Sequence, residues 1–300
     1  MNVLNLPTNS KITNLYNIEE KIGEGGYAKV FKGTNKSTGE KIAIKIIAKA
    51  KAGSILKYLK NEIEFMMKIN HPNIVKVHEF FEDENNIYLV MELMLGGELY
   101  SRIVSKNQYS ERDAIVIIKQ IVDGILFCHS KGIVHRDIKP ENILFHTTDE
   151  HTNIKITDFG ISRHFDYNNP MTSQVGSLMY LAPEIIKAKG YNEKVDFWSL
   201  GIVSFILLCG YHPFYSDNDI QMLKLITKGK LEFISPNCDN LSDEAKDFLS
   251  LLLVVDPEER LSGNKILLHP WLKNQSPSLI ELVETVQDIK KFQAVNEKKN

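Results

Sequence analysis

Residues 135 to 142 read His135-Arg136-Asp137-Ile138-Lys139-Pro140-Glu141-Asn142, and no other stretch constrains the chain as tightly. Pro140 prevents a helix from running through its middle. The segment is therefore a loop that displays a carboxylate (Asp137), an ammonium group (Lys139) and an amide (Asn142) close together. Further along comes Asp158-Phe159-Gly160, a second carboxylate on a turn-forming sequence. Two acids, an amide and a lysine suit a site that holds a divalent cation and a phosphoryl oxyanion. Whatever fold the chain adopts must present these two loops together.

Upstream, strands are expected. From Tyr16 the apolar residues alternate, with Ile18 and Ile22 before the glycine-rich Gly23-Glu24-Gly25-Gly26 and Ala28 and Val30 after it. A second alternating run, Ile42, Ile44 and Ile46, follows the turn residues Ser37-Thr38-Gly39. A dinucleotide fold or a Walker-type NTPase needs its glycines to open a helix. Here a strand follows, so the glycines belong to a hairpin. Ala28 and Val30 also spoil the Walker pattern, because Val30 offers no hydroxyl for magnesium. Leu56, Leu59, Ile63 and Met66 then recur at helical spacing, and strands are expected near residues 75–81 and 87–92.

After Gly96-Gly97 the pattern is mainly helical. Ser110 with Asp113 forms a capping-box sequence, opening a helix whose buried stripe includes Ile118, Ile121, Val122 and Ile125. Short strands at 143–145 and 154–157 bracket the first loop and hold it toward Asp158, and later helices centre on 195–209, 220–227, 241–255 and 265–268. The longest strongly apolar run, residues 202–209, is far too short to span a membrane. Thirty-six basic and thirty-eight acidic side chains give a net charge of −2, which offers nothing to a nucleic-acid partner. Cys128, Cys209 and Cys238 lack metal-ligand or disulfide spacing and read as buried thiols of a reducing compartment. No nucleic acid, no membrane and a cytoplasmic location are the expectations.

The two loops, in this order and spacing, resemble the catalytic and metal loops of a eukaryotic protein kinase. The resemblance covers residues 16–272 and implies an α+β, bilobal fold. A small antiparallel β-sheet lobe with one helix (16–94) would precede a larger, mainly helical lobe (95–272). An N-terminal extension (1–15) and a C-terminal helical tail (273–300) flank them. It further implies ATP and Mg2+ as cofactors, with Asp137 as the base that takes the substrate hydroxyl's proton and Lys139 as the charge stabiliser. Asn142 and Asp158 would be the metal ligands, and Lys45, paired to Glu62, would grip the phosphates. Ile22, Gly23, Gly25, Val30, Ala43, Met91, Glu92, Leu93, Glu98 and Leu144 would line the nucleotide pocket, with Met91 before the hinge. Ala28 stands where the family's third glycine is common. Glu184 and Arg260 are expected to form a structural ion pair.

Lys139 resembles the serine/threonine branch. Arg136 and Arg163 with Thr172 and Ser173 imply an activation segment ordered by phosphorylation, and so an upstream kinase as a partner. Glu98, Glu141 and Ser177 would meet the substrate peptide, with Arg-x-x-Ser/Thr as the preferred site. Gly96-Gly97-Glu98-Leu99 and His269-Pro270-Trp271 are similar to the calcium/calmodulin-dependent protein kinase group. Residues 276–300 read as a helix with Leu279, Leu282 or Val283, Val286 and Ile289 on one face. Near-balanced charge leaves two readings of it, a calmodulin-binding autoinhibitory segment or a helix packed on the large lobe. The rival to a working enzyme is a catalytically weak kinase-fold scaffold, whose usual mark is a lost catalytic residue.

Overall fold

The computed structural model describes residues 12–25, 28–52, 56, 63, 66–106, 109–149, 152–159, 163–164, 177–274 and 277–297. They form two compact units, Met1–Leu95 and Gly96–Asn300. None of the helices among the described residues is long and apolar enough to cross a membrane.

The first unit is a five-stranded antiparallel sheet in the order β1-β2-β3-β5-β4, with β1 Tyr16–Glu24, β2 Ala28–Asn35, β3 Lys41–Ala48, β4 Val77–Glu82 and β5 Asn86–Glu92. Strand alternation gives the sheet two faces, and here apolar residues cover both. Ala28, Ile47, Phe80, Ile87 and Leu89 gather on one face with Ala52, Ile63 and Leu56. Ile42, Ile44, Phe81 and Val90 gather on the other, joined by Tyr16 and by Ile12 of a short helix, Ile12–Leu15. The stretch preceding Tyr16 thus contributes to the core. The glycine-rich segment joins β1 to β2, where Gly25 N–H donates to Ala28 O at 2.8 Å. Register sets Val30 opposite Lys45 and Ala43 opposite Met91, so all four side chains share one face.

The second unit is organised by two helices packed together, Glu111–Ser130 and Lys194–Cys209. The Asp113 carboxylate accepts from the Ser110 N–H at 3.0 Å and the Ser110 hydroxyl at 2.8 Å, closing the first helix's N-terminus. Its expected stripe, Ile118, Ile121, Val122 and Ile125, is buried. The second helix is buried on every side from Val195 to Cys209, which is why it reads as an unbroken apolar run. Asp219–Lys228 and Asp243–Leu252 follow, then a 3-10 helix, Gly263–Leu268, over the stretch where a helix is expected. Arg260 meets Glu184 through two parallel bonds of 2.7 and 2.9 Å in a fully buried pair.

The tail departs from its expected span. Its helix is Val283–Glu297, because the residues before it are held extended: Glu281 bridges Ser110, and Leu282 N–H donates to Tyr109 O at 2.8 Å. Leu279, expected on the buried face, is 66% exposed, whereas Leu282, Thr285 and Ile289 are buried. Thr285 Oγ1 donates to Leu208 O at 2.9 Å, and the helix packs on Leu99–Val104 and Lys194–Cys209.

Candidate active site

The loop 135–142 hangs from one buried carboxylate. Asp196, 1% exposed, sits in the first turn of the helix Lys194–Cys209. It accepts from the backbone N–H groups of His135 and Arg136, both at 2.8 Å, and pairs with His129 Nε2 at 2.8 Å. A charge removed from water is costly unless it is paired and hydrogen-bonded. Burial pushes the Asp196 carboxyl upward, but the His129 bond and charge, with His135 and the Arg136 N–H, hold it below the usual carboxylate range. The loop's backbone is therefore pinned to an ionised anchor. Arg136 adopts φ 68°, a left-handed conformation rare for a long side chain. Its N–H bond to Asp196, with a contact from Nη1 to the Tyr191 hydroxyl at 3.3 Å, stabilises that conformation.

Turned this way, the loop brings four functional groups into contact. One oxygen of Asp137, Oδ1, accepts from the Ser177 hydroxyl at 2.8 Å and the Ser177 N–H at 3.2 Å. The other, Oδ2, meets Lys139 Nζ at 2.9 Å and Asn142 Nδ2 at 3.0 Å. Lys139 Nζ also donates to Ser177 Oγ at 2.8 Å, which closes the set. Asp137 and Lys139 are half-buried, so these charge-assisted bonds are stronger than they would be in open solvent.

A hairpin carries the second acid. β6 (Ile133–Val134) enters the loop, and β7 (Ile143–Phe145) pairs with β8 (Ile154–Ile156). Thr157 N–H donates to Asn142 O at 2.9 Å and extends the ladder. Asn142 and Asp158 therefore lie at the same end of one hairpin. His135 links the two loops: it accepts from the Asp137 N–H at 3.2 Å through Nδ1 and donates to Thr157 O at 3.0 Å through Nε2. Its ring stands edge-on to Phe159 with centroids 4.6 Å apart. Asp158 has φ 60°, a second left-handed residue at the turn.

These donors fit a magnesium ion. Asn142 Nδ2 is engaged by the carbonyl and carboxylate of Asp137, at 2.8 and 3.0 Å, so its amide oxygen is the atom left for a cation. Oxygen from an amide and from a carboxylate is the ligand type magnesium prefers.

Glu98 is exposed, extended (φ −78°, ψ 157°) and bridged to Leu144, at the start of the helix Leu99–Val104. Glu141 is exposed in the 3-10 turn Pro140–Asn142. It lies close enough for its charge, after burial, to help raise the hydroxyl pKa of Tyr100 and of Tyr180. Tyr100 follows Glu98 by two residues, and Tyr180 follows Ser177 by three. Arg163 is paired through its backbone with Val134, where β6 runs antiparallel to the short strand β9 (Arg163–His164). In the separate first unit, Lys45 and Ala43 are buried, Met91, Glu92 and Val30 are half-buried, Leu93 is buried and Ile22 is exposed. Gly23 pairs with Val30 in the β1–β2 ladder. Glu62, Thr172 and Ser173 lie outside the described residues, as do Gly26 and Gly160.

Asp196, His129 and Tyr191 were given no role from sequence. The signal for Asp196 was the family resemblance, in which Asp196-Phe197-Trp198-Ser199-Leu200-Gly201 occupies a kinase-like position.

A family model described as protein kinase domain matches residues 16–272. Myosin light chain kinase A of Dictyostelium discoideum is 41% identical over 277 residues, covering 92% of this chain and 94% of the relative. Calcium/calmodulin-dependent protein kinase type 1 of Caenorhabditis briggsae is 41% identical over 281 residues, covering 93% of this chain and 78% of that protein. The protein of the same description from Caenorhabditis elegans is 40% identical over 279 residues, with 93% and 80% covered.

Proposed function

Because this chain belongs to the protein kinase family, as a serine/threonine kinase of the calcium/calmodulin-dependent and myosin light chain kinase type, we propose that Asp137, Lys139, Asn142 and Asp158 carry its phosphoryl transfer. ATP use follows from the family. Magnesium-bound ATP would supply the γ-phosphoryl group, the bond from the γ-phosphorus to the β,γ-bridging oxygen breaking as ADP leaves, and Asn142 and Asp158 would hold the metal. Asp137 orients the acceptor hydroxyl and takes its proton as the oxygen attacks. Lys139 stabilises negative charge on the phosphoryl group in transit, and Ser177 keeps Asp137 and Lys139 in register. Lys45, Glu62 and the pocket residues around Gly23, Gly25, Val30, Ala43 and Met91 would place the nucleotide. The observation that carries this reading is the closed set of bonds among Asp137, Lys139, Asn142 and Ser177. Replacing Asp158 by Ala should lower turnover roughly a hundredfold or more while the protein stays folded. A folded Asp158→Ala variant with near-normal turnover would leave the scaffold reading in its place.

For peptide choice the proposal is Arg-x-x-Ser/Thr, with Glu98 and Glu141 meeting the arginine. Relatives that also read arginine two residues before the acceptor place a further glutamate where this chain has Ile206, which is fully buried. A positional peptide scan should lose rate when the −3 arginine is replaced. An undiminished rate, or a stronger demand at −2, would overturn it. Activation is proposed to follow phosphorylation at Thr172 or Ser173 by an upstream kinase, with Arg136 and Arg163 receiving the phosphate. Unchanged activity in the Thr172/Ser173 double alanine variant and after phosphatase treatment would end that idea.

For the tail, two relatives are calcium/calmodulin-dependent by description. The burial of Leu282, Thr285 and Ile289 favours the packed-helix reading over a calmodulin target. Calorimetry with calcium-loaded calmodulin decides between them: a micromolar or tighter complex would restore the calmodulin reading. The three buried thiols are consistent with a reducing, cytoplasmic setting, which is part of this proposal.

A further inference from the structure

Two of the three cysteines meet in the second unit. Cys209 is the last residue of the helix Lys194–Cys209, and Cys238 lies on the turn at 235–240. Both are buried, and their side chains are hydrogen-bonded to each other. The Tyr211 hydroxyl stands 3.4 Å from Cys238 Sγ. The surrounding bonds hold the pair in place. Asn237 Nδ2 donates to Cys209 O and to Asp288 Oδ2 of the tail helix, both at 2.9 Å. Cys238 N–H donates to Ile234 O at 3.2 Å and closes the turn.

The two thiols are not equivalent. A hydrogen bond from Cys209, aided by the Tyr211 hydroxyl, holds the Cys238 thiol below its ordinary pKa despite its burial. Burial, and then the bond to Cys238, push the Cys209 thiol up. A thiolate is the nucleophile toward an oxidant, and a thiol beside it can resolve the product as a disulfide. Ser235, Pro236, Asp239 and Asn240 on the same turn are exposed, so Cys238 lies just beneath the surface. A small oxidant needs only a slight opening of that turn to reach it. Cys128, on the helix Glu111–Ser130, serves as an internal comparison. Burial, with the Asp196 charge, pushes its thiol well above the ordinary range and protects it from oxidation.

We propose that Cys209 and Cys238 are an oxidisable dithiol, which hydrogen peroxide closes to a disulfide at the seat of the tail helix. The Cys238 thiolate attacks one peroxide oxygen, the O–O bond breaks, and the departing hydroxide takes up a proton to become water. Cys209 then attacks the sulfur of the resulting sulfenic acid. The S–S bond forms, the S–O bond breaks, and the oxygen leaves as a second water carrying the Cys209 proton. The two sulfurs are oxidised and the peroxide is reduced to water. A disulfide of this kind in a reducing compartment is transient and redox-sensing. The inference is independent of the catalytic assignments above.

The test is to treat the folded full chain with hydrogen peroxide, remove the excess with catalase, and titrate thiols in denaturant. The titratable thiols should fall from three to one, that of Cys128, and return to three with dithiothreitol. Peptide mapping should find residues 209 and 238 cross-linked within one chain. In Cys209→Ser, dimedone should label Cys238 as the trapped sulfenic acid, and in Cys238→Ser both remaining thiols should survive. Because the cross-link constrains the unfolded chain, the oxidised protein should melt higher than the reduced one. Three thiols still titrating in the treated parent, loss of Cys128 as fast as the pair, or cross-links only between chains would each overturn the proposal. So would a disulfide that lowers the melting temperature, since the pair would then not be placed to close.

Discussion

His212 shows how a single side chain ties the large unit's stability to pH. It is 4% exposed, donates from Nε2 to Met179 O at 2.7 Å and accepts the Phe214 N–H at Nδ1 at 3.0 Å. Both bonds use the neutral ring, and protonation would abolish the second. Burial, only partly offset by the Met179 carbonyl, pushes its pKa from 6.5 down to about 4. Between those values the unfolded chain binds a proton that the folded chain does not. The contribution is therefore fully present above about pH 6.5 and is lost progressively as pH falls toward 4, amounting to about 2 kcal/mol by pH 5. Urea unfolding at pH 7 and pH 5 checks this, and His212→Gln should flatten the difference by about that amount. An equal pH dependence in the two proteins would show that His212 is not responsible. At this scale the sequence is most informative where chemistry is local. Asp137, Lys139 and Asn142 declare themselves within one loop, and the structure joins them by hydrogen bonds. Asp196 does not, because its two backbone donors lie about sixty residues away in sequence.

At the scale of elements, periodicity located the strands and the buried helices, and boundaries moved where tertiary contacts overrode it. β4 begins at Val77, and the tail helix begins at Val283 because Leu282 is held by Tyr109. No local pattern within residues 276–300 encodes that contact. The junction between the tail helix and the helix Lys194–Cys209 depends on one glycine. Gly210 caps the latter with φ +81°, and a Cβ there would stand 2.8 Å from Thr285 O and 2.9 Å from Thr285 Cα. Gly210→Ala should therefore cost about 2 kcal/mol or more, from left-handed strain together with displacement of the tail helix. Thermal unfolding reads this directly. A melting temperature equal to that of the parent would mean that the tail helix is not seated on Gly210.

For the molecule as a whole, the two units differ in how they use burial. The five-stranded sheet is covered on both faces and presents Val30, Ala43, Lys45 and Met91 on one of them. The helical unit wraps a fully buried helix and hangs its polar loop from that helix's first turn. Apolar spacing made the strands before Gly96-Gly97 and the helices after it legible, because each follows from local periodicity, whereas the α+β, bilobal fold itself was legible through the family resemblance. Ser177 was legible only through the family resemblance. Its bonds to Asp137 and Lys139 join segments about forty residues apart. The central claim is that Asp137 is the group on which phosphoryl transfer turns. It is tested by steady-state transfer of labelled phosphate from ATP to an Arg-x-x-Ser peptide, comparing the parent with Asp137→Asn. The amide keeps the size of the side chain but cannot take the hydroxyl's proton. Magnesium-dependent incorporation by the parent and a fall in kcat of roughly a hundredfold or more in Asp137→Asn, with both proteins equally folded, is the predicted result. Equal turnover by the two proteins, or no incorporation by a folded parent phosphorylated on its activation segment, would contradict it.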